Sequence, residues 1–135
     1  MNANESNVKD RLLEKDLVYE IVGCAMTLHN EIGHGLREKT YERALCVELQ
    51  NRSLPFEQQK PYPVVYRDVH IDDYVPDLVV DGKIVIETKV ADTIVDDHRG
   101  QVLNYLRVTG LQVGLILNFK HPKLAWERLV LETAR

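Results

Sequence analysis

Several features that mark a protein's compartment or partners are scarce in this sequence. Of 135 residues only two are cysteines, Cys24 and Cys46. They fall in helical patterns without Cys-x-x-Cys spacing, which argues against structural zinc and reads as two buried thiols in a reducing cytoplasm. No apolar run approaches the ~20 residues of a membrane span. The opening Met1-Asn2-Ala3-Asn4-Glu5 lacks the basic and apolar regions of a signal peptide. There is no basic excess: Lys and Arg total 17 against 21 Asp and Glu, a formal charge of −4. Phosphate contacts dominate affinity for nucleic acid, so this balance counts against tight, unassisted binding of a duplex. Repeats, low-complexity segments and linkers are missing. The length fits one domain with a real core, with residues 1–8 a polar, frayed N-terminus and 9–135 the domain.

What is present begins with helical periodicity. Leu13, Leu17, Ile21, Cys24, Ala25, Leu28 and Ile32 recur at the spacing of an amphipathic helix, predicted from about Lys9 to Glu31. Gly33-His34-Gly35 ends it; His34 reads as structural. A second helix is expected from about Leu36 to Asn51. In it Glu38 aligns with Tyr41, Leu45 and Leu49 on the stripe facing the core. An acid in a first turn also suits the helix dipole, but that does not explain its alignment with Leu45 and Leu49. Beyond Leu54-Pro55, Phe56 to Tyr66 reads as one extended edge segment marked by Pro61 and Pro63. Arg67-Asp68 is a candidate turn, and Val69 to Asp73 leads into a central hairpin. A helix from Asp96 to about Val108 follows, then an apolar strand from Leu111 to Asn118, a break at His121-Pro122, and a last strand from Trp126 to Leu131. This order predicts an α/β layer domain with a mixed sheet of four or five strands flanked by helices.

The central hairpin spans Asp77 to Lys89. Two apolar runs flank Asp81-Gly82, a strong turn signal. Val85, Glu87 and Lys89 alternate, so they share one face. Charges on a β-branched strand are costly without partners or a metal. Parity sharpens the reading, because directly opposed residues share a face. A two-residue Asp81-Gly82 turn pairs Val80 with Lys83 and leaves Asp77 and Glu87 on opposite faces. To share a face they need a three-residue Asp81-Gly82-Lys83 loop or a bulge.

Pro76-Asp77 followed by Glu87-Thr88-Lys89 resembles the motif of the PD-(D/E)xK nuclease superfamily. Gly35, Glu38 and Tyr41 spell Gly-x-x-Glu-x-x-Tyr, similar to the signature of its small GxxExxY branch. Gln101, Tyr105 and Thr109-Gly110 continue the likeness, which runs from about Ile21 to the C-terminus. The resemblance implies a restriction-endonuclease-like core and a metal-dependent nuclease acting on DNA or RNA. It implies Asp77, Glu87 and the Thr88 carbonyl as ligands of Mg²⁺ or Mn²⁺, with Glu38 binding directly or through water. The ion would polarise the phosphoryl oxygen and activate a water. Lys89 would orient the nucleophile and offset transition-state charge, with Gln101 supporting it. Tyr41 is expected as a buried ring whose hydroxyl reaches the site, and Tyr105 shares a helix face with Gln101 and His98. Three acids at a dry site predict a raised pKa, assigned to Glu38. Cutting two strands needs two sites, which makes a homodimer an expectation.

Each residue has a blander explanation. Glu87 and Lys89 can form an exposed charge pair, worth ~0–1 kcal/mol. Asp77 can be a turn acid, and Gln101 and Tyr105 surface residues. Asp96, Asp97 and His98 look like a metal cluster, but acids there more often cap a helix. The competing functions are a nuclease, a binding module that keeps the nuclease fold, and a structural domain with a surface charge network.

Overall fold

The computed structural model describes residues 13–131. The expected frayed segment 1–8 and the first residues of the predicted opening helix lie outside them. Helix α1 runs Lys15–Ile32 and buries Val18, Ile21, Val22, Cys24, Ala25 and Leu28 as one stripe. Gly33, at φ 77°, turns the chain out of the helix, and its N–H caps the His29 carbonyl at 2.9 Å. Helix α2, Glu38–Asn51, packs on α1 and buries Tyr41, Leu45, Cys46 and Leu49. Both cysteines are free and buried.

Seven strands follow: β1 Phe56–Gln58, β2 Tyr62–Tyr66, β3 Val69–Tyr74, β4 Leu78–Val80, β5 Ile84–Lys89, β6 Val113–Asn118 and β7 Ala125–Val130, with helix α3, Asp96–Thr109, between β5 and β6. Five of them form one sheet in the order β1-β4-β5-β6-β7. Its pairings are antiparallel except β5 with β6, because α3 makes the crossover a parallel pair requires. The result is the expected mixed sheet with a helical layer on each face.

The layers divide the core. Helices α1 and α2 cover Ile84, Ile86, Leu115, Leu117 and Phe119 on one face. Helix α3 covers Val79, Val85 and Ile116 on the other through Val102 and Leu106. A methyl group on Gly114 would meet Val102 Cγ1 at 2.4 Å, so glycine at this position of β6 lets α3 lie close on the sheet. Strand β6 is buried throughout, as its continuous apolar run predicts.

Two expectations need correction. Phe56 to Tyr66 is not one extended segment. Gln59 takes a left-handed conformation at φ 53°, which breaks the run and sends β1 and β2 to different sheets. Val69–Tyr74 does not feed straight into the central sheet either. It pairs with β2 as a separate ribbon around Arg67 and Asp68, both at positive φ, as a two-residue hairpin turn demands.

The central hairpin resolves the parity question. Asp81 and Gly82 both adopt positive φ, and Lys83 N–H closes the turn on the Val80 carbonyl at 2.9 Å. Yet the strands pair Val80 with Ile84, Val79 with Val85 and Leu78 with Ile86. Lys83 is the extra residue. Continuing this register places Asp77 level with Glu87.

Candidate active site

The two acids meet where β4 begins and β5 ends, and each strand's backbone serves the other's carboxylate. Asp77 N–H donates to Glu87 Oε1 at 3.0 Å. Thr88 N–H and its hydroxyl both donate to Asp77 Oδ2 at 2.9 Å. Glu87 is only 4% exposed. Burial, and then the neighbouring charge of Asp77, push its carboxyl up to about 8, against the opposing pull of the Asp77 N–H and of Lys89. Asp77 is also raised, first by burial and further by the charge of Glu42, while the Thr88 bonds oppose the shift. Both shifts favour the protonated carboxyls where a cation could sit.

The donor chemistry fits a hard divalent ion. Two carboxylates and the adjacent Thr88 carbonyl are oxygen ligands of the kind Mg²⁺ and Mn²⁺ prefer, and Mg²⁺ usually keeps several waters when only one or two carboxylates bind it. Among the described residues, no three His, Cys, Asp or Glu side chains converge into a ready-made metal cage. Such an ion would depend on Asp77 and Glu87, with its remaining positions open to water and substrate.

Lys89 points to α3. Its Nζ donates to Gln101 Oε1 at 2.9 Å, and Gln101 Nε2 donates to the Tyr105 hydroxyl at 3.3 Å. Tyr105 meets the edge of Tyr74 at 5.7 Å. A cleft of about 540 Å³ opens beside Gln101 and Tyr105, lined also by Tyr74, Gly100 and Asn104. The main chain of Lys89 is pinned from β6: its carbonyl accepts Phe119 N–H at 2.9 Å. Buried Asn118 clamps the following loop, donating to the Ala91 carbonyl at 2.8 Å and accepting Ala91 N–H at 3.1 Å.

Other expected members stand elsewhere. Glu38 is exposed, and its Oε2 accepts Val90 N–H at 3.3 Å. It opens α2, so no preceding turn buries it on the apolar stripe. It sits at the rim beside the Lys89 strand end and does not join Asp77 and Glu87 in a three-carboxylate group. The strongly raised acid is Glu87, on the strand. Tyr41 is fully buried and stacks on Phe119 at 4.6 Å. Its hydroxyl does not reach the acids: it donates to the Gly33 carbonyl at 2.8 Å and accepts Leu36 N–H at 3.1 Å. It therefore ties down the turn that delivers Glu38. His98 Nδ1 accepts Val95 N–H at 3.2 Å and Asp96 pairs with Arg99 at 2.7 Å, so these residues organise the start of α3.

Three residues escaped the sequence reading. Asn118 was hidden in an apolar strand. Glu42, 2% exposed, is an acid inside the domain, and Gln59 bridges it to Asp77. A signal for Glu42 existed: with Leu45, Cys46 and Leu49 it forms a cleaner i, i+3, i+4, i+7 stripe than Glu38 does.

A mixed sheet crossed by helices, with paired acids and a lysine at one strand end, defines a nuclease-type α/β core. A family model described as the PD-(D/E)XK nuclease superfamily matches residues 15–129, and the chain belongs to that superfamily. Its fold is restriction-endonuclease-like. The crystal structure of the protein SSO0001 is similar, with a TM-score of 0.56 at 17% identity over 71% of this chain. That match spans 50% of the SSO0001 chain. At that identity the likeness concerns the fold alone. No curated protein matches. No described helix is long and apolar enough to cross a membrane.

Proposed function

We propose that this protein is a metal-dependent nuclease of the GxxExxY type, hydrolysing phosphodiester bonds in DNA or RNA with Mg²⁺ or Mn²⁺. The observation that carries the reading is the cross-strand pairing of Asp77 and Glu87 beside Lys89, obtained because Lys83 stays in the loop and does not pair with Val80. Nucleases of this superfamily generally use divalent ions, and the ion when bound supplies charge neutralisation at the phosphate and an activated water. Asp77, Glu87 and the Thr88 carbonyl would hold it. Lys89 stands on the same strand face as Glu87, where its ammonium offsets negative charge developing on the phosphate. Gln101 holds the Lys89 ammonium in place and is in turn held by Tyr105. Glu38 accepts the Val90 N–H and steadies the strand end, from where it would assist the ion through water. Gly35, Glu38 and Tyr41 support the GxxExxY assignment, since Tyr41 fastens the turn from which Glu38 emerges.

Buried free thiols support a cytoplasmic setting, and a homodimer would supply the second site that double-strand cleavage needs. The test is cleavage of single- and double-stranded DNA and RNA with Mg²⁺ and with Mn²⁺, alongside calorimetric Mn²⁺ titration. Cleavage dependent on the ion and lost in Asp77→Ala supports the nuclease. Ion binding with no cleavage of any substrate replaces it with a binding module that keeps the nuclease fold. The acidity of the chain, −4 overall, is the observation favouring that second reading.

A further inference from the structure

We propose that Gln59, locked in place by the buried carboxylate of Glu42, positions Asp77 for the ion. The inference rests on the metal-dependent reading above and adds two residues to it, Gln59 and Glu42.

Gln59 holds Asp77 twice. Its backbone N–H donates to the Asp77 carbonyl at 3.0 Å, and its side-chain Nε2 donates to Asp77 Oδ1 at 3.3 Å. Thr88 already occupies Oδ2 with two donors. Gln59 thus gives the other oxygen its donor, beside the Glu42 carboxyl that also lies against Asp77. The same Nε2 donates to both oxygens of Glu42, at 3.1 and 3.2 Å. An ionised carboxylate only accepts, so Glu42 dictates which end of the Gln59 amide faces the acids. Glu42 is itself held by Gln58 Nε2 at 2.7 Å and by Lys39 Nζ at 3.2 Å.

The backbone gives an independent argument. Gln59 sits at φ 53°, where glutamine is uncommon and asparagine is several-fold enriched. A side chain chosen for that backbone alone would be shorter. Glutamine has the reach to Asp77 and Glu42. Residues held at sparsely populated dihedrals cluster at functional sites, and here the strained residue touches an expected ion ligand.

Gln59→Asn separates the roles, because it suits the left-handed backbone and shortens the reach. Mn²⁺ titration by calorimetry and by electron paramagnetic resonance, with thermal melting of the ion-free protein, reads both. The expected result is a melting temperature held or raised, with Mn²⁺ affinity weakened roughly tenfold, as for loss of an outer contact to a ligand. Glu42→Gln also weakens binding, partly through lost charge. The Gln59→Asn/Glu42→Gln double variant should lose less than the product of the single losses, because Glu42 acts through Gln59. Gln58→Leu removes a donor to Glu42 that does not touch Asp77, and should keep Mn²⁺ affinity within about twofold. Should Gln59→Asn fail to fold, Gln59→Gly gives the same test, since glycine accepts the backbone freely. Wild-type Mn²⁺ affinity in a folded Gln59 variant overturns the proposal and leaves the nuclease reading intact. A loss in Gln58→Leu equal to that in Gln59→Asn also overturns it, since the cluster would then act only by general packing. Absence of Mn²⁺ binding by the wild-type protein removes the metal reading and this inference together.

Discussion

The β2–β3 and β4–β5 hairpins both place acids on strands rich in β-branched residues, and both turn through consecutive residues at positive φ. Their outcomes differ. In β2–β3 the acids Asp72 and Asp73 stay exposed, with His70 bonding Asp73 at 2.7 Å on the surface. In β4–β5 the acid Glu87 is buried against Asp77 and pushed up to about 8. The first ribbon stands outside the central sheet, while the second is flanked by β1 and β6 and roofed by α3. An acidic residue on a strand therefore says little by itself. It becomes chemistry when neighbouring layers remove water and a second acid is brought level with it.

The comparison breaks most sharply at the strand register. Inserting one alanine between Ile86 and Glu87 leaves the loop as it is but sets the alanine against Asp77 and turns Glu87 to the opposite face. Calorimetry should then detect no Mn²⁺ binding, whereas replacing Arg67-Asp68 by Asn-Gly should leave affinity within about twofold. A folded insertion variant that binds like the wild type would refute the register argument.

Single acids extend the contrast. Asp77→Asn should weaken Mn²⁺ binding by roughly a hundredfold or more and abolish turnover. Asp73→Asn on the exposed ribbon should change stability by no more than about 0.5 kcal/mol. Equal effects from the two, measured by titration and melting, would erase the distinction between the hairpins.

Lys89→Ala is expected to lower turnover by roughly a hundredfold, with Mn²⁺ affinity kept or raised, because a positive charge beside the cation is gone. Single-turnover kinetics with saturating ion reads this. Full activity in Lys89→Ala would make the lysine a surface charge like those of the outer ribbon.

The gentlest effect concerns pH. Glu87 is raised from its ordinary value near 4.5 to about 8, so between those values the folded, ion-free protein binds more protons than the unfolded chain. Its stability is fullest below about 4.5 and falls as pH climbs through that window. Mn²⁺ competes with the same proton, so its apparent affinity should rise as pH climbs toward 8 and level off above it. Denaturant melts across the window check the slope, which Glu87→Gln should flatten; an unchanged slope in that variant would assign the proton elsewhere.

Much of this was legible in the chain. Apolar periodicity placed α1, α2 and α3 to within a few residues, except the start of α1, which begins at Lys15. The alternation of Val85, Glu87 and Lys89 put them on one face, and parity required an extra residue in the loop. These signals are local: each depends on spacing along one segment. Glu38 was misjudged because periodicity does not see where a helix begins, and a residue in the first turn lacks the neighbours that would bury it. Tyr41 was expected at the acids, but the nearest polar groups to its hydroxyl belong to the Gly33–Leu36 turn.

The sequence by itself determined the helices, most of the strands and the faces of the central strands, because side-chain direction alternates along a strand and repeats along a helix whatever lies around it. Only the tertiary structure decided that Glu87 is dry, that Gln101 receives Lys89, and that Gln59 and Glu42 close on Asp77. Those contacts join residues as far apart in sequence as Glu42 and Asp77. Whether such residues meet depends on how the layers stack, and no local pattern carries that information.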